Sequence, residues 1–152
     1  TAPGEAILLH SPAYIGFIGT ITNMGRKIVY SPLKKDEQGV WRMDYEDMEK
    51  KIVEYKIHAA VFCSPYNPVG RVWTRDEIER AMEILRGYNV FVVSDEIWSD
   101  IITLGHKHIL TQSVSMMPAS EPWLSMRLAR LLIWQAWSEA TILFTMTGSA
   151  TG

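Results

Sequence analysis

The sequence predicts an α/β fold, in which helices cover both faces of a mostly parallel β-sheet. Two segments, Ala59–Cys63 and Val90–Val93, are apolar at every position, which is typical of strands buried on both faces. An amphipathic helical pattern lies between them, as a crossover between parallel strands requires, and chain chirality makes such a crossover right-handed. The 152 residues, of which 47% are apolar, are enough for one domain with a core.

The first part of the chain continues the alternation of strands and helices. Apolar runs predict short strands at Ala6–Leu9 and Lys27–Tyr30. Between them, Ser11 and Pro12 favour a turn, and a helix is predicted over Tyr14–Asn23. Residues 34–39, which carry most of the local charge, are expected to form a solvated loop.

Two further helices carry N-terminal capping signals. Asp44 can cap a helix whose apolar positions Tyr45, Met48 and Ile52 fall at helical spacing. The segment Thr74–Glu77 has the form of a capping box, in which each end residue satisfies a free backbone N–H. One face of the helix that follows is apolar, and Gly87 lies near its end. That face consists of Ile78, Ala81, Met82 and Leu85.

Composition excludes several classes of function. A net charge of −2 without a basic stripe argues against a nucleic-acid partner. The single cysteine, Cys63, rules out a disulfide framework and favours a reducing, cytoplasmic compartment. Residues 1–5 lack the features of a signal peptide, and no segment predicts a membrane span. His106 and His108 have no third ligand nearby, so a surface loop is expected there and no metal site.

Polar side chains follow the two most apolar strands. Asn67 lies in the run Ser64–Arg71, after the first of them, and Asp95 ends the run that contains the second. In parallel sheets, ligands bind beyond the carboxyl ends of the strands. A rigid neutral amide and a buried carboxylate suit a pyridine ring that has a phenolic oxygen and a protonated nitrogen, because the carboxylate favours the protonated ring. The pair therefore points to pyridoxal phosphate.

Interpretations of these residues as purely structural remain open. Asn67-Pro68 followed by Gly70 is also an ordinary turn signal, and an aspartate at a strand end is often a solvated cap. An unrelated nucleotide-binding domain is disfavoured because no glycine-rich phosphate loop follows any predicted strand.

The order of these motifs resembles a known family. From about Gly4 to Ser115 the sequence resembles the large domain of fold-type I pyridoxal-phosphate enzymes, the class I/II aminotransferase superfamily. Within it, the sequence is most similar to the carbon–sulfur β-lyases that resemble cystathionine β-lyase. The matching stretches are Ser11–Tyr14, Gly25–Leu33, Asn67–Thr74, Ser94–Ile97 with Ser99 and Asp100, and His106–His108.

The resemblance implies roles for individual residues. Asn67 would bond the ring oxygen O3′, Asp95 the ring nitrogen, and Tyr14 would stack on the ring, although a core tyrosine is the alternative. Trp98 stands where the family commonly has a Tyr or His that reaches the cofactor. Because an indole can donate but cannot act as a base, Trp98 is expected to pack or to form a weak wall of the cofactor site.

The resemblance also implies an activity. It predicts a carbon–sulfur β-lyase acting on a sulfur-containing amino acid, with an aminotransferase or a non-catalytic truncated fragment as alternatives. A homodimer is expected, since active sites of this fold form at dimer interfaces, with neither nucleic acid nor membrane as a partner. Residues 1–116 would be a partial large domain, incomplete at both ends.

The catalytic residue that the family requires is missing. Such enzymes bond a lysine to the cofactor, in a Ser-Lys-Thr-like motif that should follow Asp95, yet the last lysine is Lys107. No catalytic residue is therefore assigned. Residues 117–152 contain no Lys, Asp, Asn, His, Tyr or Val, a sharp break in composition that predicts a non-homologous tail.

A shifted reading frame would explain this tail. Residues 127–142 can be back-translated with permitted codons whose alternate frame reads Pro-Ser-Lys-Thr-Phe-Asn-Leu-Ala-Gly-Leu-Val-Gly-Ser-Tyr-His. That string is similar to the lysine motif of the family and its continuation. The sequence thus predicts an out-of-frame tail, with the shift near Met116 and Met117; a divergent but real segment is the alternative.

Overall fold

A computed structural model describes residues 1–114, so the predictions for residues 117–152 lie outside the described part of the chain. The strands are β1 (Ala6–Ser11), β2 (Lys27–Pro32), β3 (Lys34–Lys35), β4 (Trp41–Arg42), β5 (Ala59–Cys63) and β6 (Phe91–Asp95). The helices are α1 (Ile15–Asn23), α2 (Tyr45–Glu54), α3 (Arg75–Gly87) and α4 (Thr111–Val114).

Four strands form a parallel sheet in the order β2-β1-β5-β6. The predicted parallel α/β arrangement is confirmed. In this register Ile7 lies opposite Ala59, and Cys63 lies opposite Asp95. Because the strands are parallel, the segments that follow β1, β5 and β6 all leave the same edge of the sheet.

The two apolar strands differ in how far they are buried. Four of the five residues of β5 are buried, as the sequence predicts. In contrast, Phe91 of β6 is 37% exposed, and Val92 and Val93 are only half-buried. Within residues 1–114, β6 is one of the two edge strands of the sheet. These exposures show that the expectation of a β6 covered on both faces is wrong for the described part of the chain.

Both predicted helix caps are present. The Asp44 side chain accepts a hydrogen bond from the backbone N–H of Asp47 at the start of α2. At the start of α3, the Thr74 side chain and the Glu77 side chain each accept the backbone N–H of the other. All four predicted apolar positions of α3 are buried, because they share the face that packs on the core.

The charged loop predicted at residues 34–39 is partly ordered. Lys34–Lys35 pairs with Trp41–Arg42 as a two-stranded antiparallel ribbon, which corrects the loop prediction. The Asp36 carboxylate accepts the backbone N–H groups of Gln38 and Val40, and the Lys35 ammonium lies over the Trp41 ring. Local side-chain contacts of this kind give a polar segment a turn without a hydrophobic face.

The core lies between the sheet and helices α2 and α3. Its largest fully buried side chains include Trp73, Phe62 and Met48. The indole of Trp73 donates a hydrogen bond to the carbonyl oxygen of Cys63 at 2.9 Å, which ties the segment before α3 to the end of β5. In the described part of the chain, no helix is long and apolar enough to cross a membrane.

Candidate cofactor site

The candidate site lies at the carboxyl edge of the parallel sheet. Asp95 is the last residue of β6, Asn67 lies in the loop after β5, and Tyr14 lies between β1 and α1. All three are half-buried. The topology therefore brings these predicted residues to one edge, at the place where parallel sheets bind ligands.

Asp95 presents a carboxylate in a partly dry position. Its Oδ1 accepts the backbone N–H of Ile97 at 3.1 Å, and its Oδ2 lies 4.0 Å from Sγ of Cys63. Burial raises the pKa of Asp95, the Ile97 N–H partly offsets this, and the negative charge of Glu96 adds to the rise. Such a carboxylate gains from a cationic partner, which a protonated ring nitrogen would supply.

Cys63 joins the two principal predicted residues. Its thiol donates to the carbonyl oxygen of Pro65 at 3.2 Å, and the backbone N–H of Asn67 acts to lower its pKa. Burial raises the pKa of Cys63 to about 12, so the thiol stays protonated at neutral pH and adds no charge beside Asp95. No local pattern around Cys63 predicts a role in the site; its position opposite Asp95 follows from the register of β5 and β6.

The loop that carries Asn67 is closed by local and distant hydrogen bonds. The backbone N–H of Tyr66 donates to the Arg71 carbonyl at 2.7 Å, and that of Gly70 donates to the Tyr66 carbonyl at 2.8 Å. Gly70 has φ +71°, a left-handed conformation that favours glycine. The Tyr66 hydroxyl lies 2.7 Å from the carbonyl oxygen of His10, so the loop is also attached to the end of β1.

A charged network holds the same loop against α3. The Arg71 guanidinium lies 2.6 Å from both carboxylate oxygens of Glu77 and stacks over the Trp73 ring. Glu77 also accepts from Arg42, which in turn contacts Asp36. The sequence pattern predicts only a capping role for Glu77. The Gly-Arg pair after Asn67 was the available signal, but the partner of Arg71 depends on the tertiary fold.

Tyr14 and Trp98 lie at the periphery of this arrangement. Tyr14 is the N-cap residue of α1, and its ring packs edge-to-face on Phe17 with centroids 5.7 Å apart. Trp98 is 44% exposed in the loop after β6. Their roles as a stacking ring and a weak site wall stay predictions.

His106 and His108 do not both lie in an exposed surface loop. His106 is exposed, as expected, but the His108 side chain is only 9% exposed and its Nε2 lies 2.9 Å from Oε2 of Glu96. The surface prediction is therefore wrong for His108, because a buried carboxylate directly after Asp95 draws the ring inward. Within residues 1–114, no group of three His, Cys, Asp or Glu side chains is placed to hold a metal ion.

The described residues fit the ring of pyridoxal phosphate. Asn67 offers a neutral amide, and Asp95, which lies beside the Cys63 thiol, offers a carboxylate on the same edge of the sheet. The lysine that would attach covalently to the cofactor has no counterpart after Lys107 in the sequence. The residues present therefore suit non-covalent contacts with the cofactor ring and no covalent attachment.

A family model described as aminotransferase class I and II matches residues 1–131. The chain belongs to the class I and II aminotransferase family. This confirms the resemblance on which the residue roles were predicted. The family is pyridoxal-phosphate-dependent, and solved structures similar to this chain contain the cofactor.

Relatives in this family include both lyases and aminotransferases. The chain is 36% identical over 115 residues to cystathionine beta-lyase PatB of Bacillus subtilis, covering 76% of this chain and 30% of the relative. It is 31% identical over 103 residues to an aspartate aminotransferase of Sulfolobus acidocaldarius, covering 68% of this chain and 26% of the relative.

Solved structures agree with the sequence relatives. A pyridoxal-phosphate-bound aminotransferase structure from Clostridium difficile matches with a TM-score of 0.71 and 43% identity, over 76% of this chain and 29% of that one. Cystalysin from Treponema denticola, which contains the same cofactor, matches with a TM-score of 0.71 and 36% identity, over 75% and 29%. The chain therefore spans about a third or less of the length of the proteins that it matches.

Proposed function

We propose that this chain is the ring-holding part of a pyridoxal-phosphate-dependent carbon–sulfur β-lyase that acts on amino acids. The observation that carries the proposal is that Asn67, in the loop after β5, and Asp95, at the end of β6, lie at the same carboxyl edge of the parallel sheet. The names of relatives such as PatB and cystalysin support the lyase branch.

In this proposal the chain binds and polarises the cofactor ring. When bound, pyridoxal phosphate draws electrons from the substrate Cα into its ring. The Asp95 carboxylate holds a proton at the ring nitrogen, because an opposite charge nearby favours the protonated form. The Asn67 amide donates to the ring oxygen, and Cys63 limits the water that reaches Asp95.

The proposed reaction is a β-elimination. The Cα–H proton is removed, the Cβ–S bond breaks, and the sulfur leaves with its electron pair as a thiol after protonation. Water then releases ammonia and a 2-oxo acid. An aminotransferase is the second candidate, since relatives such as the Sulfolobus acidocaldarius aspartate aminotransferase support it.

The chain by itself is proposed to be catalytically incomplete, because its sequence has no lysine after Lys107. We propose that residues 117–152 are encoded out of frame, with the shift near Met116. Sequencing the coding DNA across Met116 tests this proposal. We expect codons whose alternate frame encodes the Ser-Lys-Thr motif; codons incompatible with that frame would exclude it.

We also propose a cytoplasmic location and a homodimer for the proposed enzyme. The single buried Cys63 is compatible with a reducing compartment. Sedimentation equilibrium of the purified chain tests the dimer. A monomer at every concentration would contradict the proposed dimer for this chain.

Cofactor binding tests the proposed site. Pyridoxal phosphate is titrated into the purified chain, and bound cofactor is measured by equilibrium dialysis. We expect Asp95→Asn and Asn67→Ala each to weaken binding by about tenfold or more. The first removes the charge that favours the protonated ring nitrogen, and the second removes the amide that donates to the ring oxygen. Asp76→Asn and Asn23→Ala, at exposed positions, are matched controls that should leave binding unchanged. Equal affinity of all four variants would contradict the site.

A further inference from the structure

Glu96 is buried directly after the residue predicted to contact the cofactor. It is only 4% exposed, and its carboxylate has hydrogen-bond partners in β6, in α4 and in the loop between them. Its Oε1 accepts the backbone N–H of Thr111 at 3.0 Å and lies 3.0 Å from the Ser94 hydroxyl. Its Oε2 accepts from Nε2 of His108 at 2.9 Å.

These contacts join two ends of one loop. Residues 97–110 leave the sheet after Asp95 and return at α4, and several of them are strongly exposed, including Ile101 and Leu104. The loop has little apolar burial of its own at those positions. The end of β6 is therefore connected to the start of α4 by a hydrogen-bonded group, called here the Glu96 cluster, which consists of Glu96, Ser94, His108 and Thr111.

The Glu96 cluster also bears on the orientation of the Asp95 carboxylate. The Glu96 carboxylate meets the Ser94 hydroxyl, whereas the Asp95 carboxylate lies against Cys63, so the two neighbouring carboxylates face different partners. Asp95 Oδ1 accepts the N–H of Ile97, which belongs to the peptide unit that follows Glu96. Holding the Glu96 side chain thus holds the backbone donor that orients Asp95.

We propose that Glu96 and His108 are positioning residues, which keep the Asp95 carboxylate in one orientation by closing the loop of residues 97–110. The inference rests on the proposed function for its consequence at the cofactor, but the orientation of Asp95 can be measured without cofactor. Glu96 and His108 touch neither cofactor nor substrate in this proposal. They act through the peptide unit between residues 96 and 97.

The first measurement is cofactor-free. The χ1 angle of Asp95 is followed by three-bond NMR couplings in the full chain, in the wild type and in His108→Ala. We expect couplings of a single rotamer in the wild type and averaged couplings in His108→Ala. His108→Gln should restore the single rotamer, because its amide can donate to Glu96 Oε2 as Nε2 does. His106→Ala, at an exposed histidine two residues away, is the matched control.

The second measurement concerns the cofactor. We expect His108→Ala and Glu96→Gln to weaken binding of pyridoxal phosphate by about tenfold, the loss of one charge-assisted hydrogen bond, and His108→Gln and His106→Ala to bind as the wild type does. Binding is measured at a temperature below the thermal unfolding midpoint of each variant. A purely structural role would lower that midpoint without changing affinity or the Asp95 rotamer.

The outcomes separate the two proposals. If His108→Ala leaves the Asp95 couplings of a single rotamer, the positioning role is excluded whether or not cofactor binds. If the wild type binds no pyridoxal phosphate but the couplings average in His108→Ala, the proposed cofactor site fails and the positioning of Asp95 stands. Should Glu96→Gln fail to fold, the His108 pair of variants still decides the question.

Discussion

Asp95 illustrates how a residue proposed to bind a ligand can lower the stability of the fold. Burial raises its pKa above the ordinary value of 3.8, so the folded protein holds a proton over a pH interval in which the unfolded chain has already released it. Stability therefore falls as pH rises through that interval. Functional groups placed in unfavourable surroundings commonly carry this cost.

The Asp95→Asn variant tests this effect. Because the amide does not ionise, we expect the variant to have a larger free energy of unfolding than the wild type at pH 7. The two should converge below the ordinary carboxyl pKa, where Asp95 is protonated in both states. Urea denaturation at pH 3 and pH 7 measures the difference, and Glu37→Gln, at an exposed carboxylate outside the helices, should show no such convergence. A less stable Asp95→Asn variant at pH 7 would contradict the prediction.

His10 should contribute the opposite dependence on pH. Its ring is buried at the end of β1, where burial lowers its pKa to about 4; the hydrogen bond with the Ser31 carbonyl and the charge of Asp47 partly offset the shift. The unfolded chain binds a proton near pH 6.5 and the folded protein does not. Stability is therefore complete above pH 6.5 and is lost as pH falls towards 4.

The size of this loss can be measured by replacement. A shift from 6.5 to about 4 corresponds to roughly 3 kcal/mol. We expect His10→Asn, whose amide can still donate to the Ser31 carbonyl, to lack about that much of the decline in unfolding free energy between pH 7 and pH 4. His58→Asn, at an exposed histidine, should decline as the wild type does. Identical declines in all three proteins would exclude the role of His10.

At the scale of elements, the capping box of α3 has two separable functions. Thr74 only caps the helix in the contacts described, while Glu77 caps it and also binds Arg71 and Arg42. The first function stabilises α3, and the second holds the loop that carries Asn67. A helix start recognisable from the sequence is thus also a support of the site, which the sequence pattern did not indicate.

Two variants distinguish these functions. Thr74→Ala should cost about 1 kcal/mol of stability by loss of the cap and should leave cofactor affinity unchanged. Glu77→Gln keeps a side chain that can complete the capping box but loses its charge. We expect it to weaken binding of pyridoxal phosphate by about tenfold, because Arg71 and the Asn67 loop lose their anchor. Dialysis and urea denaturation measure the two effects, and equal affinities would contradict the separation.

The element boundaries were predicted well where the signals are local. The range of β5 and the cap of α3 follow from an apolar run and a four-residue motif. The ribbon of β3 and β4 was missed because it depends on Asp36 accepting two backbone N–H groups. The exposure of β6 was missed because it depends on which strand lies at the sheet edge.

At the scale of the whole molecule, the sequence has no lysine after Lys107. This absence predicts that the proposed binding of pyridoxal phosphate is non-covalent. Without covalent attachment, the aldehyde of pyridoxal phosphate contributes little to affinity. We expect pyridoxine 5′-phosphate, which has an alcohol in its place, to bind within about threefold of pyridoxal phosphate, less than the tenfold that 1.4 kcal/mol would give. Competition dialysis measures this ratio. An aldehyde form that binds more than tenfold more tightly would indicate attachment to a lysine of this chain.

Residue patterns along the chain were enough to predict the parallel α/β class and the family, both of which are confirmed. They also named Asn67 and Asp95 as candidate cofactor residues, which stays a prediction. Apolar periodicity and short motifs carry these, since they depend on residues close together along the chain. In contrast, the three-dimensional packing is needed to see that Cys63 lies beside Asp95, that Glu77 binds Arg71 in the Asn67 loop, and that His108 is buried against Glu96. Strand register and packing bring these partners together from distant positions, and no local pattern encodes which side chains will meet.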